Sequence, residues 1–206
     1  MSKRATTDYP IHNLLAERWS PCGFAATPVS PEDLRSLFEA ARWAASSYNE
    51  QPWRYIIATR DEAEAFEKLL SCLVEANQAW ARFAPVLALG IAKRMFSHNG
   101  VPNRAALHDL GAASAGLTFE AGARGLLVHQ MGGIDPEKAR SLYRIPEDFE
   151  VVTALAIGYA GTPSGLPDEC RKRDSAPRQR RPQRELVFGR SWGRAWDRVA
   201  QNDLGG

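Results

Sequence analysis

Apolar residues recur along the chain with two different spacings, and these spacings separate helices from strands. Between residues 31 and 45 the apolar positions follow a helical period, and Ser30 with Asp33 three residues later forms a start that resembles a capping box. The segments with helical spacing, or with a helix start signal, are 31–45, 62–81, 104–124 and 135–143. The pattern therefore predicts four helices.

Shorter segments rich in aromatic, β-branched and aliphatic residues lie between these helices. Such segments are typical of strands. The predicted strands are 53–58, 86–92, 126–131 and 151–159. Helices and strands thus alternate along the chain without an internal repeat. The long helix over 104–124 is unusually rich in glycine and alanine, which indicates close packing against another backbone.

The composition changes at Thr162, beyond which Pro, Gly and Arg dominate. We expect residues from about 162 to 206 to form an extended arm that wraps another surface, because a long segment without a period of its own rarely packs by itself. The polar residues 1–8 predict a flexible N-terminus. We interpret 1–206 as a single domain with these two extensions.

Composition limits the class of protein. A chain of 206 residues with 44% hydrophobic and 24% charged residues suits one globular domain, and no apolar run approaches the roughly 20 residues of a membrane span. The three cysteines are far apart and predict neither a disulfide framework nor a zinc site, which fits a reducing cytoplasm. From the cysteines and the short apolar runs together we expect a soluble, cytoplasmic protein without a membrane partner. Net charge is only +2, yet ten of the 26 Lys and Arg residues lie between Arg171 and Arg198. This basic segment requires an anionic partner or a solvated surface.

Several common catalytic motifs are absent from the sequence. There is no Walker A loop, no G-x-G-x-x-G and no G-x-S-x-G, and the four histidines lack metal-ligand spacing. Neighbours in a helix do not face each other, so we expect His108 to be a structural residue that does not face Asp109. We nominate no catalytic acid or base and no metal site.

Three short blocks, taken together, are more informative. The first is Arg18-Trp19-Ser20, the second reads SSYNEQPW from Ser46 to Trp53, and the third reads PRQRRP from Pro177 to Pro182. In this order the blocks resemble the nitroreductase family, which has an opening Arg-x-Ser, a block close to P-S-x-x-N-x-Q-P-W, and two basic residues one apart before a proline. The resemblance covers the chain from Tyr9 to about Trp192.

The resemblance implies a binding site for FMN. Guanidinium groups and hydroxyl donors suit a phosphate, and the family positions assign this role to Arg18, Ser20, Arg178 and Arg180, with Ser46 donated by a partner subunit. Asn49 and Gln51 would serve the pyrimidine edge of the flavin, and the turn at Gly132 and Gly133 would approach flavin N5. The full set of implied cofactor-binding residues is Arg18, Trp19, Ser20, Ser46, Ser47, Asn49, Gln51, Met131, Gly132, Gly133, Arg178 and Arg180.

The family also implies an architecture and a reaction. The expected fold is α+β, with a mainly antiparallel central sheet flanked by helices, in a homodimer that exchanges its C-terminal arms. The expected reaction is ping-pong: NADH or NADPH gives hydride to flavin N5 and leaves, and a nitroaromatic, quinone or similar acceptor then takes two electrons.

Two positions depart from the family pattern. Cys22 stands where relatives often have Lys or Arg, and Trp80 stands where some relatives have a second basic residue. In those relatives the cations lie near flavin N1 and O2. We therefore expect a lower flavin potential here than in relatives with both cations, and we expect Cys22→Arg to raise it.

Two other functions remain open at this point. A divergent member of the superfamily could use bound flavin for dehydrogenation, dehalogenation or flavin breakdown. The basic C-terminal segment could instead belong to a nucleic-acid-binding module, although the chain has no basic recognition helix and no known RNA or DNA motif. We expect no nucleic-acid partner.

Overall fold

The computed structural model describes residues 3–199, and within them a four-stranded antiparallel sheet forms the centre of the fold. The strands are β1 (Trp53–Thr59), β2 (Val86–Lys93), β3 (Leu127–Met131) and β4 (Phe149–Gly158). Their spatial order is β1-β2-β4-β3. The sequence predicted all four strands, and the prediction of an antiparallel α+β fold is confirmed.

Helices cover both faces of this sheet. The α-helices of the described chain are α1 (Asn13–Glu17), α2 (Pro31–Arg42), α3 (Ala63–Leu70), α4 (Glu75–Ala81), α5 (Ala106–Ala123), α6 (Pro136–Tyr143) and α7 (Asp168–Ser175). Helices α2 and α5 share one hydrophobic cluster with the sheet, while α3, α4, α6 and α7 share the other. The inner strands β2 and β4 lie between the two clusters, which explains why their sequences are almost continuously apolar.

The prediction of a single helix over 62–81 is wrong. The helix is interrupted between α3 and α4, where Leu73 forms an isolated bridge with Ile134 and the Val74 amide donates to the Gly133 carbonyl at 3.1 Å. Leu73 is buried, so this irregular segment belongs to the core. The backbone therefore bonds to a distant turn instead of continuing the helix, which local spacing cannot reveal.

The chain divides into two compact units between Ala176 and Pro177. In the first unit, the prediction of an extended arm from about 162 is wrong for Asp168–Ser175, which form α7 because the side chains of Leu166 and Cys170 are buried in the core. Residues 3–5 are also attached: Ala5 N–H donates to the Ala16 carbonyl at 2.8 Å. In residues 3–199 no helix is both long enough and apolar enough for a membrane span.

The second unit begins at Pro177 and has little regular structure. It contains a 3-10 turn over Gln183–Glu185 and an isolated bridge between Phe188 and Ala195. The interpretation of 1–206 as one domain stays a prediction, and so does the exchange of arms. Residues 1–2 and 200–206 of that interpretation lie outside the described range.

Candidate functional site

Arg18 and Ser20 lie side by side directly after α1. Arg18 is the C-cap of that helix, and its Nη1 donates to Ser20 Oγ at 3.2 Å. Trp19, between them, is buried, with the Lys3 ammonium 5.0 Å from its ring centroid. The buried indole fixes the segment, so the two polar side chains on either side of it share one surface.

Asp174 of α7 holds the chain just beyond this segment. Its carboxylate accepts hydrogen bonds from the amides of Cys22 (3.0 Å) and Gly23 (2.8 Å). Charge-assisted bonds of this kind are stronger than neutral ones. Sequence reasoning missed Asp174, because one acidic residue within a basic run gives no signal of a contact about 150 positions away.

A series of side-chain contacts connects this segment to the glycine turn, which we define as Gly132 and Gly133. His129 Nδ1 donates to the Pro21 carbonyl at 2.8 Å, since a carbonyl can only accept. The imidazole stacks on the Trp80 ring at 4.4 Å between centroids. Trp80 Nε1 donates to Asn77 Oδ1 (3.3 Å), and Asn77 Nδ2 donates to the Gly133 carbonyl (2.9 Å). Asn77 and His129 were not predicted as site residues.

The glycine turn directly follows Met131, the buried last residue of β3. Among residues 3–199 the amides of Gly132 and Gly133 have no hydrogen-bond acceptor, although the Gly133 carbonyl is held by Asn77 and Val74. A Cβ at Gly133 would lie 2.5 Å from Asn77 Nδ2, whereas a Cβ at Gly132 would meet nothing within 4 Å. The turn thus has one crowded side and one open side, with two donors available.

Several hydrogen bonds fix loop 46–51 (Ser46 to Gln51), including two from Ser97 to the Glu50 carboxylate. The Ser47 amide donates to Asp109 Oδ2 of α5, and the Gln51 amide donates to Ser46 Oγ, both at 3.0 Å. Three residues of this loop, Tyr48, Asn49 and Gln51, have left-handed backbone angles. Each such residue costs on the order of 1 kcal/mol unless its surroundings fix it, so the conformation depends on these anchors.

Asp109 and His108 correct one expectation. His108 Nδ1 lies 3.3 Å from Asp109 Oδ1, so the two neighbours do contact each other. The contact forms because the exposed imidazole folds back over a carboxylate that is almost fully buried. The interpretation of His108 as a structural residue stays a prediction. Asp109 also holds loop 46–51.

The predicted site residues therefore form separate groups in one chain. Among residues 3–176, no hydrogen bond, ion pair or ring contact joins loop 46–51 to the Arg18–Ser20 segment or to the glycine turn. Arg178 and Arg180 belong to the second unit. Burial, followed by the positive charge of Arg180, lowers the pKa of Arg178. Asn49 is exposed, and its carbonyl accepts from Gln51 Nε2 at 2.9 Å.

The two departures from the family pattern both lie in the core. Cys22 is 1% exposed and Trp80 is 2% exposed. Burial raises the pKa of the Cys22 thiol to about 12, against an opposing effect of Arg173. Burial also lowers the pKa of His129, which bonds to the Pro21 carbonyl and stacks on Trp80. The site therefore contains a neutral thiol, an indole and a neutral imidazole in close proximity.

Comparisons with known proteins identify the family. The model of the nitroreductase family matches residues 15–159. A Streptomyces coelicolor protein with the provisional name NADH dehydrogenase/NAD(P)H nitroreductase is 32% identical over 161 residues, which cover 68% of this chain and 79% of that protein. A nitrobenzene nitroreductase of Ectopseudomonas oleovorans is 39% identical over 69 residues, or 34% of this chain and 29% of that enzyme.

Solved structures of related proteins share the fold of this chain. One described as an oxidoreductase containing FMN has a TM-score of 0.86 and 34% identity, and the match covers 93% of this chain and 98% of that one. A nitroreductase family protein from Clostridium difficile shares the fold, with a TM-score of 0.67, 21% identity and coverage of 86% and 96%. On the strength of the matched residues and the shared fold, this chain belongs to the nitroreductase family.

Proposed function

We propose that this protein is an FMN-dependent oxidoreductase that uses NADH or NADPH to reduce a nitroaromatic, a quinone or a similar acceptor. The observation that carries the proposal is the connected set of contacts between the Arg18–Ser20 segment and the unpaired amides of the glycine turn. Membership of the nitroreductase family and the likeness to an oxidoreductase containing FMN support it.

The residues present suit FMN. Arg18 and Ser20 offer a guanidinium group and a hydroxyl for the phosphate. At the other end of the connected contacts, the amides of Gly132 and Gly133 offer donors that nothing in residues 3–199 uses, and the missing side chain at Gly132 leaves space beside them. When bound there, FMN supplies the redox chemistry, namely hydride acceptance from a nicotinamide and electron donation to an acceptor.

The protein's own part is binding and orientation. Asn77 and Val74 fix the Gly133 carbonyl, which directs the turn, and Asp174 fixes the backbone beyond Ser20. We assign no catalytic acid or base, because solvent can supply the protons. The nicotinamide would bind at the open side of the glycine turn and leave, and the acceptor would then bind in the same place. This order is a ping-pong scheme.

Loading the purified protein with FMN and adding NADH or NADPH without oxygen tests the function. We expect flavin absorption to disappear with at least one nicotinamide and to return on addition of a quinone, with parallel double-reciprocal plots. Arg18→Ala should weaken FMN binding at least tenfold, whereas Arg35→Ala, an exposed arginine of α2, should not change it. Protein that does not bind FMN would refute the proposal. Bound FMN that neither nicotinamide reduces would favour a divergent flavoenzyme.

We further propose a homodimer in which the partner subunit supplies loop 46–51, and in which Arg178 and Arg180 of the arm bind phosphate. The separation of loop 46–51 from the glycine turn within one chain supports this. Mixing Arg18→Ala and Ser46→Ala subunits tests it, because a mixed dimer then has one site with both residues intact. Recovery of FMN binding in the mixture is expected, and additive loss would contradict shared sites.

Three free, buried cysteines suit a reducing cytoplasm.

A further inference from the structure

His129 is held by two contacts that leave one ring nitrogen available. Its Nδ1 hydrogen is used by the Pro21 carbonyl at 2.8 Å, and one face of the ring is covered by Trp80. The neutral imidazole therefore has its lone pair on Nε2, which is the nitrogen that can gain a proton. A proton can bind there without movement of the ring.

Nε2 has no hydrogen-bond partner among residues 3–199. The residue as a whole is 8% exposed, so His129 is not completely enclosed by protein. The imidazole is thus buried over most of its surface and anchored at Nδ1, with no protein group bound to Nε2 among residues 3–199. This is the arrangement of a group that can exchange a proton in place.

Burial, helped by two nearby arginines, keeps the ring neutral in the resting protein. Burial is the main cause of its lowered pKa, and Arg173 and Arg18 act in the same direction, against Asp174 and the bond to Pro21. The nearby Cys22 thiol is neutral. Helix α4 contributes the uncharged Trp80, whose indole donates to Asn77, and β4 contributes Ala156 as the paired residue. A new negative charge near the ring would therefore favour protonation.

We propose that His129 takes up one proton from solvent at Nε2 when FMN bound at this site is reduced. The inference rests on the proposed function. Hydride from the nicotinamide brings two electrons and one hydrogen to the flavin and adds one negative charge; the imidazole gains one proton and one positive charge, so charge balances. His129 thereby provides the neutralising cation in a site where positions 22 and 80 are a buried thiol and an indole.

The pH dependence of the flavin midpoint potential measures this proton. For a two-electron couple, each proton taken up changes the potential by about 30 mV per pH unit. Between about pH 7 and about pH 8, FMN-loaded wild-type protein should show about 59 mV per pH unit, for two protons, and His129→Gln about 30 mV, for one. His12→Asn removes an exposed imidazole but keeps an N-cap residue for α1, and it should behave as wild type.

Equal slopes for wild type and His129→Gln, both with bound FMN, would overturn the inference while leaving the proposed function intact. Failure of the wild-type protein to bind FMN would instead refute the proposed function. Nitrogen NMR of the wild-type imidazole gives a second measurement that does not depend on how the variant folds. We expect Nε2 to be unprotonated with oxidised FMN and protonated with reduced FMN at about pH 7.5, and an unchanged signal would contradict the proposal.

Discussion

The His129 imidazole lies against the Trp80 indole, with centroids 4.4 Å apart and planes inclined by 27°. This stack joins β3 to α4 and completes the contacts from Pro21 to Gly133. The aromatic residue at position 80 thus has a structural role. The following predictions depend on this connection and on the anchors of loop 46–51.

Asn77→Ala should loosen the glycine turn. The change removes the acceptor of Trp80 Nε1 and one of the two donors to the Gly133 carbonyl. We expect a loss of about 1–3 kcal/mol in the free energy of unfolding, together with weaker FMN binding. Urea unfolding and flavin titration measure the two effects. Glu75→Ala, on the same helix, touches neither bond, and an equal loss in that control would contradict the role of Asn77.

Gly132→Ala and Gly133→Ala should have different effects. At Gly133 a methyl group would lie 2.5 Å from Asn77 Nδ2 and 2.9 Å from Val74 Cγ2, so we expect destabilisation by about 1–3 kcal/mol. At Gly132 there is space, so the fold should retain its stability while the methyl group hinders FMN binding. Thermal unfolding and flavin titration separate the two outcomes. Equal stability of the two variants would contradict the predicted destabilisation by a methyl group at Gly133.

Asp109→Ala should release loop 46–51. The Ser47 amide loses its carboxylate acceptor, and left-handed residues such as Tyr48 lose a constraint. A lost bond to a charged group typically costs about 1.5–3 kcal/mol. Asp109→Asn keeps an oxygen acceptor and should cost less. Urea unfolding of both variants, with limited proteolysis of the loop, tests this, and equal losses would contradict an acceptor role.

Stability should fall in acid partly because of His129. Burial lowers its pKa in the folded state below the ordinary 6.5, so the unfolded chain binds a proton first as the pH falls. The free energy of unfolding therefore decreases from about pH 6.5 down to the lowered folded pKa, and this contribution is absent above that window. His129→Gln should lack this decrease, while His12→Asn should retain it. Urea unfolding at several pH values compares them.

The Cys22 thiol should be unreactive in the native protein. Its side chain is 1% exposed and burial raises its pKa to about 12, so the thiolate that reacts is almost absent at neutral pH. Cys72 and Cys170 are also buried. A thiol reagent should label all three cysteines only after denaturation, and rapid native labelling of Cys22 would contradict its burial.

The burial of Cys22 also changes the expectation for Cys22→Arg. A guanidinium group at this position would enter the hydrophobic core, where an unpaired charge is costly. A change in flavin potential in that variant would be confounded by lost stability. The expected low potential stays a prediction, and it is better tested by direct measurement on the wild-type protein.

Sequence patterns alone predicted the four strands and helices α2, α5 and α6, because these depend on local spacing, but they missed the short helix α1. The break between α3 and α4, the helix α7 and the roles of Asp174, His129 and Asn77 depend on contacts between distant segments. Asp174 meets Cys22, and His129 meets Pro21, only when the sheet brings their elements together. A polar residue takes its role from the groups it meets after burial, and only the tertiary structure determines which groups those are.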